Sequence, residues 1–480
     1  MANKDKKDNI LDPPSFPRLS EKQCRKLHWT SLEILERVGA RLQLEEAIHL
    51  LKKAGANVTD GNLVRVPSNL VEKALTTVPK RLVLYDRLGN PVMPVEGRRC
   101  FYGPGSDCLN IIDHRNETRR KPVVKDLIEG VTLCDSLSNI DYVMSMLLPS
   151  DVDEAIADRY QMEAMLNHTT KPIIFVTYEF GGCLDAIKMA EAVMGGAEAL
   201  RKNPMVACYI NVPSGFLHNE DSLQKLLYLA SKNLPSLYIP SSTAGITSPI
   251  TSAGAVALDN AGALLGLVLS QLKREGAPVV IPGMSPGHLD MRTFVLTYIE
   301  PERGIAQAMA HFYGLPMFSL GGASESKTLD LQAVAEATLG LTAETLAGGN
   351  IIHNLGYLES GLTFSFAQLV ICDEIVSWLK VFFKEFEMDD EALALDVIAK
   401  VGPDGQFLNT KHTLKHHRKR WYPNLFERAT YESWLEEGGK TLTERTSERI
   451  ELILTEHKPE PLPLKVKENL RKIVQKAKIG

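Results

Sequence analysis

The sequence predicts an α/β fold of the (β/α)8, or TIM-barrel, class, with an N-terminal α+β cap and a helical C-terminal extension. Three observations predict it. From Cys108 onward, short apolar runs alternate with helical segments. The runs number eight, at residues 108–113, 140–147, 172–178, 205–211, 234–240, 278–283, 315–320 and 350–353. No glycine-rich dinucleotide fingerprint follows any of them, which weighs against an open doubly wound sheet.

Residues 1–107 carry no such period and form the expected cap. Ser20 and Gln23 have capping-box spacing at the head of a helix, with Gly39 past its end. Residues 45–54 read as a second helix stopped by Gly55, residues 63–66 as a strand and 67–77 as a short helix. Residues 82–85 and 91–95 read as strands joined through Arg87-Leu88-Gly89-Asn90. Tyr102-Gly103-Pro104-Gly105 reads as a turn folded over the barrel mouth.

The barrel is expected over residues 108–386. Helical patterns follow the runs, as at 124–137, 154–166 and 184–200. The helix after the fifth run has Ser248 at the N-cap, Pro249 at the first helical position and Gly276 at C′. Its apolar stretch, 250–272, is interrupted by Asp259 and Asn260 and reads as a buried helix rather than a membrane span. The eighth run breaks into a loop holding His353, Asn354, Tyr357 and Glu359 among glycines, and a helix follows over 363–379. Residues 387–480 form the extension, with a loop at 401–408, a basic stretch at 414–421, helices near 431–434 and 442–455, and a basic helix at the end.

The net charge of −5 argues against a nucleic-acid binder. Residues 1–8 are polar and lysine-rich with no apolar run behind them, so no signal peptide is expected. Seven scattered cysteines without a CxxC fit a reducing cytoplasm and give no metal signature. His412, His416 and His417 sit among lysines and arginines that would repel a cation, so they read as a solvated or partner-facing basic segment.

An active site belongs at the C-terminal ends of the barrel strands. Those ends offer Asp107, Asn110, Ser150, Asp151, Tyr178, Glu179, Tyr209, Asn211, Ser241, Ser242, Thr243, Ser285, His288, Glu325, Lys327, His353, Asn354, Tyr357 and Glu359. Aromatic residues recur, carboxylates are present, and no close Cys, His and Asp set suggests a triad or a metal. Aromatic faces with one or two carboxylates suit a quaternary ammonium ion, which has no N–H to donate and is held by ring quadrupoles and diffuse negative charge.

The second half of the chain resembles a known family. Ser248-Pro249-Ile250-Thr251-Ser252-Ala253-Gly254-Ala255-Val256-Ala257-Leu258, running on to Gly276-Ala277-Pro278-Val279-Val280, is similar to the trimethylamine methyltransferase family. So are Gly361-Leu362-Thr363-Phe364-Ser365 with Asp373-Glu374, and Val401-Gly402-Pro403-Asp404-Gly405-Gln406-Phe407-Leu408 with His412-Thr413. Trp421-Tyr422-Pro423-Asn424-Leu425-Phe426-Glu427-Arg428 and Tyr431-Glu432-Ser433-Trp434 fit as well. The resemblance implies a barrel enzyme that moves a methyl group from an amine to the cobalt of a separate corrinoid protein. Trimethylamine-using members carry pyrrolysine, whereas this chain has only the twenty standard letters. Its likeness is to the pyrrolysine-free branch, whose known substrates are quaternary amines, chiefly glycine betaine.

On that footing the expected reaction takes a methyl group from glycine betaine and leaves dimethylglycine. The corrinoid cofactor is supplied in trans by the cognate protein, with no catalytic side chain beyond positioning. Carnitine or proline betaine as substrate, or binding without turnover, are the alternatives. Tyr102, Tyr209, Tyr357 and Phe364 are expected to contact the trimethylammonium, with Asp107, Glu179 or Glu359 nearby. His353 is expected to anchor the carboxylate, with Lys327, His288 and Arg292 as further candidates. The strip at 411–420 is expected to dock an acidic corrinoid protein, and the chain to form a homo-oligomer without contact to membrane or nucleic acid.

Overall fold

A computed structural model describes residues 10–297 and 303–478. The lysine-rich opening at 1–8 lies outside the described residues. Eight parallel strands form the barrel wall: β1 Phe101–Pro104, β2 Val143–Met144, β3 Ile173–Phe175, β4 Val206–Val212, β5 Ser236–Pro240, β6 Val279–Pro282, β7 Met317–Leu320 and β8 Ile351–Leu355. Their order is β1-β8-β7-β6-β5-β4-β3-β2. The ring is drawn nearly shut between its ends, where Asp141 N–H donates to the Tyr102 carbonyl at 2.7 Å and Asp107 N–H to the Ser145 carbonyl at 2.7 Å. A major helix follows each strand: α1 Val124–Ser136, α2 Ala157–His168, α3 Phe180–Met194, α4 Glu220–Lys232, α5 Ser252–Lys273, α6 Ile305–Tyr313, α7 Leu331–Ala347 and α8 Phe366–Phe382.

Seven strands coincide with the apolar runs expected to hold them, β4 and β8 running one and two residues past the expected ends; the first does not. Residues 108–113 contribute Asn110–Ile112 to a small mixed sheet with Arg119–Arg120, Tyr357–Leu358 and Thr363–Ser365, beside the barrel mouth. The barrel strand is instead Phe101–Pro104, the segment that reads as a turn. Its glycine and proline signal close packing rather than a bend. A Cβ on Gly103 would lie 2.6 Å from the Tyr142 ring, so only glycine lets β1 approach β2 there.

Side chains alternate across each strand, and the alternation sorts the wall. Phe101, Met144, Ile174, Ala207, Leu237, Val280, Phe318 and Ile351 turn inward as one buried cluster. The antiparallel hairpin of Leu82–Tyr85 and Pro91–Val95 adds Leu82, Leu84, Met93 and Val95 to that cluster and plugs the barrel. The plug fills the end opposite the C-terminal mouth.

The helix α5 starts later than its sequence suggests. Residues 243–248 close a turn, with Gly245 N–H donating to the Ser248 carbonyl, and Thr251 takes the N-cap position. Every residue from Ala255 to Gln271 is buried, because β5 and β6 cover one side and the helices Glu21–Glu33 and Ser68–Thr77 the other. A helix hidden all round can be apolar all round. The capping box of Ser20 and Gln23 forms as the sequence predicts. Beyond α8 the chain runs through short helices at Asp390–Leu393, Leu395–Val401 and Lys411–His416, then packs Leu442–Glu456 and Leu464–Ala477 against the outer barrel helices.

Candidate active site

The C-terminal mouth holds a cavity of about 320 Å³, at the small end of ligand sites, which span about 300–1,000 Å³. Tyr209, at an inward position of β4, and Tyr357, just beyond β8, are its aromatic walls. The Tyr357 hydroxyl donates to the Ser106 carbonyl, tying the segment after β8 to the segment after β1. Phe318 lies tilted against Tyr209 with ring centroids 5.1 Å apart. The same ring stacks on His353 at 3.9 Å and 19°.

That stacking and one hydrogen bond fix the chemistry of His353. Its Nδ1 sits 2.5 Å from the Ser319 carbonyl. A carbonyl only accepts, so Nδ1 carries the proton and Nε2 keeps its lone pair. Burial pushes the imidazole down to about 4. His353 therefore faces the cavity neutral at physiological pH. This corrects the expectation that it anchors a carboxylate, since a neutral ring with a bare acceptor has no positive charge to offer.

Charge in the cavity comes from three other side chains. Asp107 lines it, accepting from Gln161 Nε2 at 2.8 Å and from the Ser145 hydroxyl at 3.3 Å. Enclosure in the mouth pushes its carboxyl up to about 6, against the pull of those donors. Two strands round the barrel, Arg303 and Glu344 form an ion pair at 2.8 Å. Glu344 is buried at 1% exposure and also accepts from Gln307 Nε2 at 2.5 Å. Burial raises its carboxyl, opposed by Arg303. The Arg303 guanidinium donates as well to the Leu320 carbonyl at the end of β7.

Two left-handed residues fall at the same place. Asp107 and Asn354 both line the cavity and both have left-handed φ, 60° and 73°. Such conformations cost about 1–3 kcal/mol each and persist where the surroundings over-determine them.

The remaining expected residues lie elsewhere. Tyr102 sits one residue out of phase with inward-facing Phe101, so it points under α7 and its hydroxyl meets Thr345 Oγ1 at 2.8 Å. Phe364 is fully buried behind Tyr357, edge-on at 6.2 Å, rather than in the cavity lining. Glu179 pairs with Arg159 at 2.7 Å, and Glu359 with Arg119 at 2.8 Å, both outside the lining. Exposed Lys327 donates to the Glu325 carbonyl at 2.6 Å. Arg292 pairs with Asp290 at 2.7 Å on the surface. The structure thus brings Asp107, Tyr209, His353 and Tyr357 together and leaves out Tyr102, Glu179, Lys327, Glu359 and Phe364.

Arg303 and Glu344 are the residues that strand-end reasoning misses. Arg303 closes the far end of the long connection after β6, one residue before the Gly304 cap of α6. Glu344 projects from a helix. Its helix also carries Glu336, so no local pattern of letters singles it out.

With this geometry in hand, comparison with known proteins places the chain. A family model described as trimethylamine methyltransferase (MTTB) matches residues 2–480. The chain belongs to the trimethylamine methyltransferase family. Among curated members, a trimethylamine methyltransferase MttB from Desulfitobacterium hafniense (strain DSM 10664 / DCB-2) is 33% identical, covering 95% of this chain and 93% of the relative. A glycine betaine methyltransferase from Desulfitobacterium hafniense (strain Y51) is 28% identical, covering 96% and 97%. A crystal structure of the Methanosarcina barkeri monomethylamine methyltransferase aligns with a TM-score of 0.52 at 11% identity, over 98% of this chain and 90% of that one, a likeness of fold.

Proposed function

We propose that this chain takes a methyl group from glycine betaine and passes it to a corrinoid held by a separate protein, leaving dimethylglycine. The observation that carries the reading is the pairing, in one small cavity, of aromatic walls and a carboxylate with a guanidinium. Tyr209, Tyr357 and Asp107 suit a trimethylammonium head, and Arg303 suits a carboxylate tail. Two further points support it: a relative named for glycine betaine aligns along nearly the whole chain, and all twenty letter types used are standard.

The chemistry asks little of the side chains. A corrinoid in its Co(I) state supplies the electron pair that takes the methyl carbon. The C–N bond breaks with its pair going to nitrogen, so a quaternary amine leaves neutral and needs no proton. The cavity binds, orients and excludes water. Positive charge leaves the nitrogen in the transition state, so a dense carboxylate cage would favour the ground state and slow transfer. A single carboxylate facing the ammonium, with Glu344 occupied by Arg303, avoids that. The cavity is sized for a small amine, not for a corrin ring, so the cobalt has to approach over the mouth. Leu109, Ile246, Ile250, Met291, Phe294 and Leu362 are exposed on the βα connections and offer a partner an apolar rim there. The seven cysteines are all free and buried, in keeping with a cytoplasmic site of action.

The test is anaerobic methylation of cob(I)alamin followed in the visible spectrum, offering glycine betaine, trimethylamine, carnitine and proline betaine separately. Methylcobalamin from glycine betaine alone is expected. The relative at 33% identity is named for trimethylamine, and turnover of trimethylamine alone would replace the substrate while keeping the reaction. Silence with all four, even with a cognate corrinoid protein added, would leave binding without turnover.

Asp107 sets the expected pH dependence. Its carboxyl, raised to about 6, is neutral below that pH and ionised above it. A cation is held better by the ionised form, so KM should fall as pH rises through about 6 and then level off. Asp107→Asn should remove that limb and raise KM roughly tenfold at pH 7.5, the loss of about 1–2 kcal/mol of charge interaction. Initial-rate kinetics between pH 5 and 8 check it; an unchanged limb in the variant would assign the titration to another group.

A further inference from the structure

We propose that Gln161, on α2, is a positioning residue: its carboxamide bridges the last seam of the barrel and fixes the Asp107 carboxylate in the cavity wall. Its bearing on methyl transfer rests on the proposed function, in which Asp107 answers the substrate's ammonium. β1 and β2 are the two ends of the strand order, with no ladder between them, and Asp107 lies just past β1 on that seam. Backbone bonds cross the seam there, from Asp107 N–H to the Ser145 carbonyl at 2.7 Å and from Cys108 N–H to the Met146 carbonyl at 3.1 Å. They hold the main chain of Asp107, left-handed at a φ of 60°, but leave the direction of its carboxylate open. Gln161 sets that direction. Its Nε2 donates to Asp107 Oδ1 at 2.8 Å and to the Leu147 carbonyl at 2.8 Å. One amide nitrogen thus ties the carboxylate to the segment across the seam.

Two features separate this role from packing. Gln161 is buried at 1% exposure, and its Oε1 has no hydrogen-bond partner among the described residues. A buried acceptor left unpaired lowers stability, and a methionine of similar length would fill the place without one. What the glutamine supplies is the nitrogen. Both neighbours of that nitrogen only accept, which fixes the way round of the amide. The second feature is electrostatic. A donor to a carboxylate favours its charged form. Enclosure pushes the Asp107 carboxyl up to about 6, and Gln161 is the foremost of the donors that oppose it, ahead of Ser145 and Ser106. The other titratable groups nearby give no such help. Asp158, on α2, pushes Asp107 the same way as burial and is itself paired with Arg159 at 2.9 Å. Burial keeps the Tyr178 hydroxyl, past β3, and the Cys108 thiol, next in the chain, neutral. Elsewhere in the cavity wall, His353 is neutral and Arg303 is taken up by Glu344.

The test compares the full-length protein with Gln161→Met. Carbon NMR of protein labelled at aspartate Cγ reads the carboxyl directly, with the Asp107 signal assigned by its loss in Asp107→Asn. The parent should titrate at about 6. In Gln161→Met, Asp107 should become an acid about tenfold weaker, for want of its first donor. Tetramethylammonium, titrated by calorimetry, should then bind about fivefold more weakly at pH 6, where the carboxylate is lost, and almost unchanged at pH 8.5. The wild type supplies a readout that needs no variant: the side-chain amide signals of Gln161 should shift with pH at the Asp107 midpoint. An Asp107 midpoint unmoved in Gln161→Met would overturn the proposal. So would Gln161 amide signals that ignore the Asp107 titration. Tetramethylammonium that bound neither protein would count against the ammonium site of the proposed function instead, because the Asp107 midpoint reports on Gln161 with no ligand present.

Discussion

Replacing Arg303 by Met is expected to cost about 3–5 kcal/mol of folding stability, the usual result of removing one partner of a buried ion pair. Glu344 would be left buried with the neutral donors Gln307 and Ser319 as partners. Its carboxyl is already raised by burial, and loss of the opposing guanidinium raises it further. The pH dependence has a definite sign. A carboxyl whose folded pKa exceeds its unfolded value of about 4.3 destabilises the fold increasingly as pH rises from the unfolded value through the folded one. The variant should therefore lose more stability at pH 8 than at pH 5 in urea titrations. Arg303→Met/Glu344→Gln should recover most of the loss and flatten the pH profile. A single variant within about 1 kcal/mol of the parent would mean that the pair is solvated. Binding gives the second readout. Glycine betaine should lose affinity by about 2–3 kcal/mol, the value of a hydrogen bond to a charged group, while tetramethylammonium, which has no carboxylate, should not. Equal losses for both ligands would show that Arg303 acts through the fold rather than on the carboxylate.

What the sequence made readable follows from which physical signals are local. The barrel was legible because parallel strands buried on both faces are continuous apolar runs, and seven of the eight stand out that way. The first did not, because Phe101-Tyr102-Gly103-Pro104-Gly105 carries its information in what it lacks. Glycines there admit the Tyr142 ring and the Asn354 and Tyr357 side chains, and nothing in the neighbouring letters reports that approach. The error propagated. With the strand taken for a turn, there was no alternation to show that Tyr102 points outward and Phe101 inward, and Tyr102 entered the expected cage. Tyr209 and His353, on strands that the apolar runs do mark, fall inside. His353 also shows the limit of residue type as a guide, since a histidine's charge is set by the carbonyl and the ring beside it. Arg303 and Glu344 lie off the C-terminal strand ends in sequence and are joined by side chains alone, with Gln307 as the third member.

Gly105→Ala is the substitution that tests this reading of the first strand and of the cavity together. A Cβ at Gly105 would fall inside the van der Waals envelopes of Asn354 Oδ1 and of the Tyr357 ring, both of which line the cavity. Asn354 has little freedom to yield, since its backbone is held at a φ of 73°. Tyr357 is tethered through its hydroxyl to the Ser106 carbonyl. Overpacking of this kind costs about 1–3 kcal/mol. Displacing a wall by an ångström can lower kcat by as much as about 100-fold where orientation is the main catalytic device. Gly103→Ala is the matched control. Its Cβ would meet the Tyr142 ring at 2.6 Å, deeper in the barrel and outside the cavity lining. The two variants should lose similar stability in urea. At a temperature where both stay folded, Gly105→Ala alone should lose methyl transfer. Equal activity in the two would remove Asn354 and Tyr357 from the site, and unaltered stability in both would mean that residues 101–105 do not pack in the wall at all.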